Sequence, residues 1–171
     1  MSVRFSLVLA LCMPLWLGVA QAGAVERGQV APAIDLPLIS TQEESAASMS
    51  LAELRGKVVY LDFWASWCSP CRMSFPQLEL LRVELGPRGF EVLAVNVDEF
   101  EADALTFLEE IPVTYPVVYD AAGLSPRTYG ILGMPTGYLI DREGVIRLVH
   151  HGFRRNDGAK LKLKIIELLG E

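Results

Sequence analysis

The stretch Trp64-Ala65-Ser66-Trp67-Cys68-Ser69-Pro70-Cys71 decides how the rest of this sequence is interpreted. It follows the apolar run Lys57 to Phe63, which is typical of a buried strand. It precedes Arg72 to Leu85, which has the apolar spacing of a helix. A cysteine at such a junction lies beside the free N–H groups of the first helical turn, where the helix dipole favours a thiolate. The second cysteine lies within reach of the first, so the stretch predicts a thiol–disulfide redox site.

The whole sequence describes one globular domain behind a targeting segment. It has 171 residues, of which 51% are hydrophobic and 21% charged. The net charge of −6, from 21 acidic and 15 basic residues, argues against nucleic-acid binding. The N-terminus predicts a signal peptide over residues 1–22, followed by a domain over residues 23–171. Its features are Arg4, an apolar run from Phe5 to Ala20 and the small-residue pattern Ala20-Gln21-Ala22. An uncleaved N-terminal membrane anchor is the alternative.

The number of cysteines distinguishes a reactive pair from a structural one. Removal of the signal peptide would take away Cys12 and leave Cys68 and Cys71. A structural disulfide ordinarily joins distant segments, because closing a long loop restricts the unfolded chain most. A bridge between Cys68 and Cys71 closes almost no loop, so it is better placed for reaction. Export would put the pair in an oxidising compartment such as the periplasm, where reducing work needs electrons from a partner.

Apolar patterning and helix breakers predict an alternating α/β chain around this site. Gly28 to Leu38 should be an extended lead-in, Ser40 to Ser50 a surface loop, and Ser50 to Gly56 a short helix that begins with a Ser50–Glu53 capping box. The further expected elements are, in order, a strand at Phe90 to Val97, a helix at Ala102 to Ile111, a strand at Tyr115 to Tyr119, a helix at Ala122 to Tyr129, a hairpin of Gly137 to Ile140 with Val145 to Val149, and a helix at Asn156 to Leu169. This order favours helices packed around a mixed sheet.

Two segments of the sequence resemble the thioredoxin superfamily. Val59 to Cys71 is similar to its active-site segment, and Tyr129 to Thr136, with Met134-Pro135-Thr136 at its end, is similar to its cis-proline loop. The lead-in and the extra βα segment around Asp98 to Tyr119 resemble the exported TlpA/ResA-like branch. The resemblance covers about Gly28 to Leu169. It implies an α/β, thioredoxin-like fold with a central mixed sheet, flanking helices and a βα insertion, and the activity of a thiol:disulfide oxidoreductase.

The resemblance also implies catalytic roles. Cys68 would attack a substrate disulfide, and Cys71 would resolve the resulting mixed disulfide, with reduction of protein disulfides as the expected direction. Asp62 would be a buried carboxyl whose raised pKa fits it to accept the Cys71 proton.

Other residues would bind the substrate or tune the site. Met134 and a cis Pro135 would face the disulfide and pair with an extended substrate segment, and Trp67 would add apolar docking surface. Ser69 and Pro70 would help to set the redox potential. No cofactor is implied. The expected partners are protein disulfides or dithiols and a membrane thiol reductase as electron donor, for a monomer that binds no nucleic acid.

The sequence departs from the family pattern at two positions. Ala94 stands where thioredoxins commonly have a lysine near the buried aspartate, so Asp62 is expected to titrate differently. Ser74 stands where TlpA/ResA-type proteins often carry a glutamate, which weakens an assignment to cytochrome c maturation. Trp64 fits a core position as well as one flanking the site.

Two other functions are weaker alternatives. A peroxiredoxin-like thiol peroxidase is disfavoured because such enzymes use a Thr-x-x-Cys arrangement. A copper-handling module could combine the cysteines with His150-His151, but no third ligand stands at motif spacing, and exposed strand-end histidines are the favoured interpretation. The acidic group at Asp98, Glu99, Glu101 and Asp103 is expected to be a solvated helix start.

Overall fold

The structure is a computed structural model that describes residues 24–39 and 47–170. The predicted signal peptide, with Cys12, and most of the predicted Ser40-to-Ser50 loop lie outside these residues. Among the described residues, no helix is both long and apolar enough to cross a membrane.

A small antiparallel pair of strands precedes the main sheet. It consists of β1 (Asp35–Pro37) and β2 (Ser48–Ser50), with Leu36 opposite Met49. The prediction of a loop is therefore wrong for its last three residues, because the extended lead-in offers them a pairing partner. A 3-10 helix at Leu51–Leu54 follows. The predicted capping box is confirmed, since Ser50 Oγ accepts from Ala52 N at 3.0 Å and Glu53 Oε2 accepts from Ser50 N at 2.8 Å.

The main sheet has five strands: β3 (Val58–Trp64), β4 (Phe90–Asn96), β5 (Val117–Tyr119), β6 (Thr136–Ile140) and β7 (Ile146–His151). Their spatial order is β5-β4-β3-β6-β7. Strands β3, β4 and β5 are parallel, whereas β6 and β7 are antiparallel to their neighbours. The predicted mixed sheet is confirmed, and β3, which leads into the cysteine pair, is its central strand.

Within the part of the chain that the structure describes, four α-helices flank the sheet: α1 (Cys71–Leu85), α2 (Glu101–Glu110), α3 (Leu124–Tyr129) and α4 (Asp157–Gly170). Each corresponds to a predicted helix. The alternating segment Lys160 to Ile165 is helical because Leu161, Ile165 and Leu168 are buried at the spacing of one helix face.

Strand β3 is buried along its whole length, so it separates two apolar cores. Alternation places Tyr60, Asp62 and Trp64 on one face, which helices α1, α2 and α4 cover. On the other face, Phe63 packs against Tyr129 at the end of α3. Asp62 is consequently a carboxyl placed in the middle of an apolar layer.

The lead-in pairs with parts of both edges of the main sheet. At β7, Gly28 N donates to Ile146 O at 2.8 Å, and Ile146 N donates to Gln29 O at 2.9 Å. At β5, Ile39 N donates to Val117 O at 2.8 Å. The segment before β3 is therefore an integral part of the domain.

Candidate active site

The two cysteines form a disulfide at the start of α1. Cys71 is the first residue of the helix, and the Cα atoms of Cys68 and Cys71 are 5.3 Å apart. The backbone N–H of Cys71 donates to Cys68 Sγ at 3.2 Å. Cys71 is completely buried, while Cys68 is 3% exposed. In the reduced state this N–H and the helix dipole would favour a thiolate on Cys68.

The loop before β6 lies against the core that contains the cysteines. The Met134–Pro135 peptide bond is cis, as the sequence predicted. Pro135 is buried, and Met134 is half-buried and packs against the cluster that includes Cys68 and Cys71. Thr136 Oγ1 donates to Gly133 O at 2.7 Å and closes the loop. The fold thus brings together the two segments on which the family resemblance was based.

Asp62 is a buried carboxyl without a hydrogen-bond partner among the described residues. It is completely inaccessible, and burial raises its pKa well above the ordinary value. Its neighbours across the sheet are Ala94 on β4 and Gly137 on β6, and neither has a polar side chain. The register therefore places Ala94 beside Asp62, where the comparison with thioredoxins expected it.

The two tryptophans have different surroundings. Trp67, immediately before Cys68, is 72% exposed and presents an apolar surface beside the disulfide. Trp64 is completely buried between Phe75 and Phe107, with ring centroids 4.6 and 4.7 Å away. Trp64 is therefore a core residue, and Trp67 is the one that a substrate could contact.

The residues between and after the cysteines form the first turn of α1. Ser69 is exposed and Pro70 half-buried, and the carbonyl oxygen of Pro70 accepts from Ser74 N at 3.1 Å. Ser74 is buried, and its Oγ donates to Cys71 O at 3.1 Å. Ser74 thus bonds within its own helix and supplies no carboxyl group to the inner cysteine.

Asp98 is a site residue that the sequence interpretation missed. The prediction of a solvated acid is wrong for it, because it is only 3% exposed. Its Oδ2 accepts from Ser66 N at 2.9 Å and from Asn96 Nδ2 at 2.8 Å, and its Oδ1 accepts from Ser66 Oγ at 3.0 Å. The carboxylate therefore holds the loop that carries Trp67 and Cys68. The available signal was the parallel pairing of β3 and β4, which brings their carboxyl ends to one edge.

His150 also differs from its prediction. It lies on β7 with a side chain only 20% exposed, because Tyr60 and Asp157 pack against it. Tyr60 Oη is 2.9 Å from its Nδ1, and Asp157 Oδ2 is 3.3 Å from its Nε2. His151, at the end of β7, is exposed as expected. Within residues 24–39 and 47–170, no group of three or more His, Cys, Asp or Glu side chains is arranged to hold a metal ion.

A disulfide at the first turn of a helix, in a thioredoxin-like sheet with a cis-proline loop, defines a thiol:disulfide oxidoreductase. Comparison with known proteins identifies the family. The profile of the AhpC/TSA family matches residues 27–149, and the chain belongs to this family.

Relatives and solved structures agree with this class. Thiol-disulfide oxidoreductase ResA of Oceanobacillus iheyensis is 37% identical over 125 residues, which are 73% of this chain and 65% of that protein. Thioredoxin-like protein YneN of Bacillus subtilis is 32% identical over 144 residues, 82% of this chain and 81% of that protein. A crystal structure assigned to a thiol:disulfide interchange protein DsbE from Chlorobium tepidum has 42% identity and a TM-score of 0.79, and the match covers 86% of this chain and 100% of that one.

Proposed function

We propose that this protein is an exported thiol:disulfide oxidoreductase that reduces protein disulfides through attack by Cys68 and resolution by Cys71. The observation that carries the proposal is the bond from the first helical N–H to Cys68 Sγ, at 3.2 Å. This bond supports Cys68 as the sulfur on which negative charge is stabilised. Cys71, which has no exposed surface, then acts as the resolving cysteine, while Cys68 keeps a small exposed fraction of 3%.

The reaction takes two exchange steps. The Cys68 thiolate attacks one sulfur of the substrate disulfide, which forms a mixed disulfide and releases the other sulfur as a thiolate. Cys71 then gives its proton to the Asp62 carboxylate and attacks Cys68 Sγ, which releases the second substrate thiolate. Two electrons have passed to the substrate, and the enzyme is left with the disulfide seen here. The raised pKa of Asp62 makes its carboxylate a stronger base than an ordinary one.

Substrate contacts are assigned to the surface around the disulfide. Trp67 supplies exposed apolar area, and the backbone at Met134 and the cis Pro135 receives an extended substrate segment. Ser69 and Pro70, which shape the turn between the cysteines, set the redox potential through the first-turn N–H groups.

The sequence of the N-terminal segment supports an exported setting for the reaction. Residues 1–22 act as a signal peptide and residues 23–171 form the exported thioredoxin-like domain, with an uncleaved N-terminal anchor as the alternative. In an oxidising compartment such as the periplasm, a membrane thiol reductase returns the disulfide to the dithiol. The domain acts as a monomer on protein disulfides or dithiols and binds no nucleic acid.

An insulin-type disulfide reduction assay tests the proposal. Cys68→Ala should abolish turnover, while Cys71→Ala should accumulate a mixed disulfide that dithiothreitol reverses. Met73→Ala, which alters an exposed side chain in the same helical turn, serves as a control for general disturbance. Normal turnover by Cys68→Ala would contradict the mechanism. Peroxide consumption by Cys71→Ser would instead favour a thiol peroxidase, although Ala65 stands where that arrangement has its threonine.

A further inference from the structure

A cavity opens beside the disulfide, between the first turn of α1 and one face of α2. Its volume is about 220 Å³, several times the roughly 30 Å³ that a water molecule takes in the liquid, so it can admit a side chain. Ser66 lies two residues before Cys68 and Arg72 directly follows Cys71, so the cavity begins next to the reacting sulfurs. The two exchange steps use none of the residues that line it, which are Ser66, Arg72, Asp103, Thr106, Phe107 and Glu110.

The cavity already holds one cationic side chain of this chain. The guanidinium carbon of Arg72 lies 5.2 Å from the centroid of the Phe107 ring. Its Nη2 pairs with Glu110 Oε2 at 2.5 Å. An aromatic face and a carboxylate are groups that bind guanidinium and ammonium ions well. Since the charges of Arg72 and Glu110 compensate each other, the carboxylate of Asp103 leaves the lining with an excess negative charge.

Asp103 is the group that remains available to a ligand. It is exposed, and it forms no ion pair with any residue in the described part of the chain. Ser66 Oγ already donates to Asp98 Oδ1 at 3.0 Å, so it cannot donate to an anion as well. Thr106 Oγ1 is used in the same way, because it donates to the carbonyl oxygen of Ala102 at 2.9 Å. Beyond the paired guanidinium, the lining therefore offers a carboxylate, which favours a cationic ligand.

The segment that forms the α2 wall adds no positive charge. Between Arg88 and Arg127 the sequence contains no lysine and no arginine. The carboxyl groups of Glu99, Glu109 and Glu110 are exposed on the same segment. A substrate that approaches the disulfide on this side meets a negative potential, which favours a positively charged polypeptide.

A substrate bound at the disulfide would extend over this cavity. In the sheet, β4 and β6 lie on opposite sides of β3. The chain runs from β4 into α2, whereas the cis-proline loop leads into β6. A substrate segment that pairs with Met134 on one side of its cysteine therefore passes the cavity on the other side. A residue two positions from that cysteine reaches at most about 7 Å, the same span as from Cys68 back to Ser66.

We propose that this cavity binds a lysine or arginine side chain that lies about two residues from the reacting cysteine of the substrate polypeptide. Its ammonium or guanidinium group pairs with Asp103. The charge of Arg72 does not oppose this pairing, because Glu110 compensates it. The inference rests on the proposed reduction of protein disulfides at Cys68. It names the class of substrate, a disulfide flanked by basic residues, and it assigns Asp103 as the residue that selects this class.

Single-turnover oxidation of the reduced protein by a symmetric peptide disulfide tests the inference. Both halves of the disulfide are the same short peptide with one cysteine, so attack on either sulfur gives the same products. One peptide carries arginine two residues before and two residues after the cysteine, and the other carries glutamine at both positions. Alkylation of the remaining protein thiols at successive times gives the rate constant for each peptide.

The quantity compared is the ratio of the arginine rate constant to the glutamine rate constant. Asp103→Asn should lower this ratio by about two- to five-fold, the effect of losing an exposed ion pair. A change in the reactivity of Cys68 itself would alter both rate constants equally and cancel in the ratio.

Glu109→Gln is the matched control. Glu109 is an exposed carboxyl of the same helix that does not line the cavity, so its loss should leave the ratio unchanged. An equal fall in Glu109→Gln overturns the inference, because it would show a general field in place of a site. An unchanged ratio in Asp103→Asn, with both peptides reduced, overturns the inference alone. A reduced protein that reacts with neither peptide contradicts the proposed function and the inference with it.

Discussion

The buried carboxyl of Asp62 should make this protein less stable as the pH rises. Burial raises the pKa of Asp62 in the folded state, while the unfolded chain keeps an ordinary value near ~3.9. Between these two pKa values the unfolded state is ionised and the folded state is protonated. The associated stability is therefore fully present below the ordinary pKa and is lost progressively up to the folded pKa.

The expected change in the free energy of unfolding follows from the release of one proton when the protein unfolds. Each pH unit in this window should lower the free energy of unfolding by about 1.4 kcal/mol relative to a variant that cannot ionise. The measurement is urea denaturation of the oxidised protein and of Asp62→Asn at pH 5, 6 and 7. The amide can shift stability by a constant amount, but the stability of the unaltered protein relative to Asp62→Asn should fall as the pH rises, by up to this slope while the folded-state carboxyl stays protonated.

Asp141→Asn is the matched control. Asp141 is also buried, but hydrogen bonds from Val145 N and Glu143 N and from Arg147 hold its pKa below the ordinary value. It is then ionised in both states from pH 5 to 7, so its difference from the unaltered protein should be flat. A flat difference for Asp62→Asn as well would refute the argument that this carboxyl is buried without a partner.

Three further outcomes are expected. Asp98→Ala removes the acceptor for three hydrogen bonds and should lower the free energy of unfolding by about 2–4 kcal/mol in urea; a loss below about 0.5 kcal/mol would contradict its role in holding the loop. Gly137→Ala forces a methyl group against the Tyr60 hydroxyl and should cost about 1–3 kcal/mol in the same assay, and an unchanged stability would show that the two groups do not meet. Trp67→Ala should raise KM for reduced-insulin formation several-fold while leaving the rate with a small aromatic disulfide unchanged, and equal effects on both substrates would count against substrate docking at this side chain.

The cysteine pair could be predicted because its chemistry is contiguous in sequence. A buried run, two cysteines three residues apart and a helical pattern are all local features, and they located β3, α1 and the disulfide correctly. The cis-proline loop was found in the same way, from consecutive residues. Helix α4 is harder to predict, because Lys160 to Ile165 alternates like a strand and its burial at helical spacing depends on packing against the sheet.

The polar network around the site could not be predicted because it depends on strand register. Asp98 reaches Ser66 across 32 residues, and Tyr60 reaches His150 across 90. Each pair meets only because the register of the sheet sets the strands that carry the two residues side by side. A shift of one residue in that register would turn the side chains to opposite faces. In the sequence alone, the acidic run and the histidine pair therefore have the pattern of surface features.

The lead-in that pairs with Ile146 and Val117 has a consequence for self-association. Exposed strand edges invite other chains to add to a sheet, and they are a common origin of aggregation. A thiol:disulfide oxidoreductase that acts on protein disulfides would bring other polypeptides close to its own sheet edges. The lead-in occupies part of the outer edge of β5 and of β7. Fewer unpaired backbone N–H and C=O groups are therefore left at these edges for another chain to bind. The segment thereby reduces the length of sheet edge through which two polypeptides could associate.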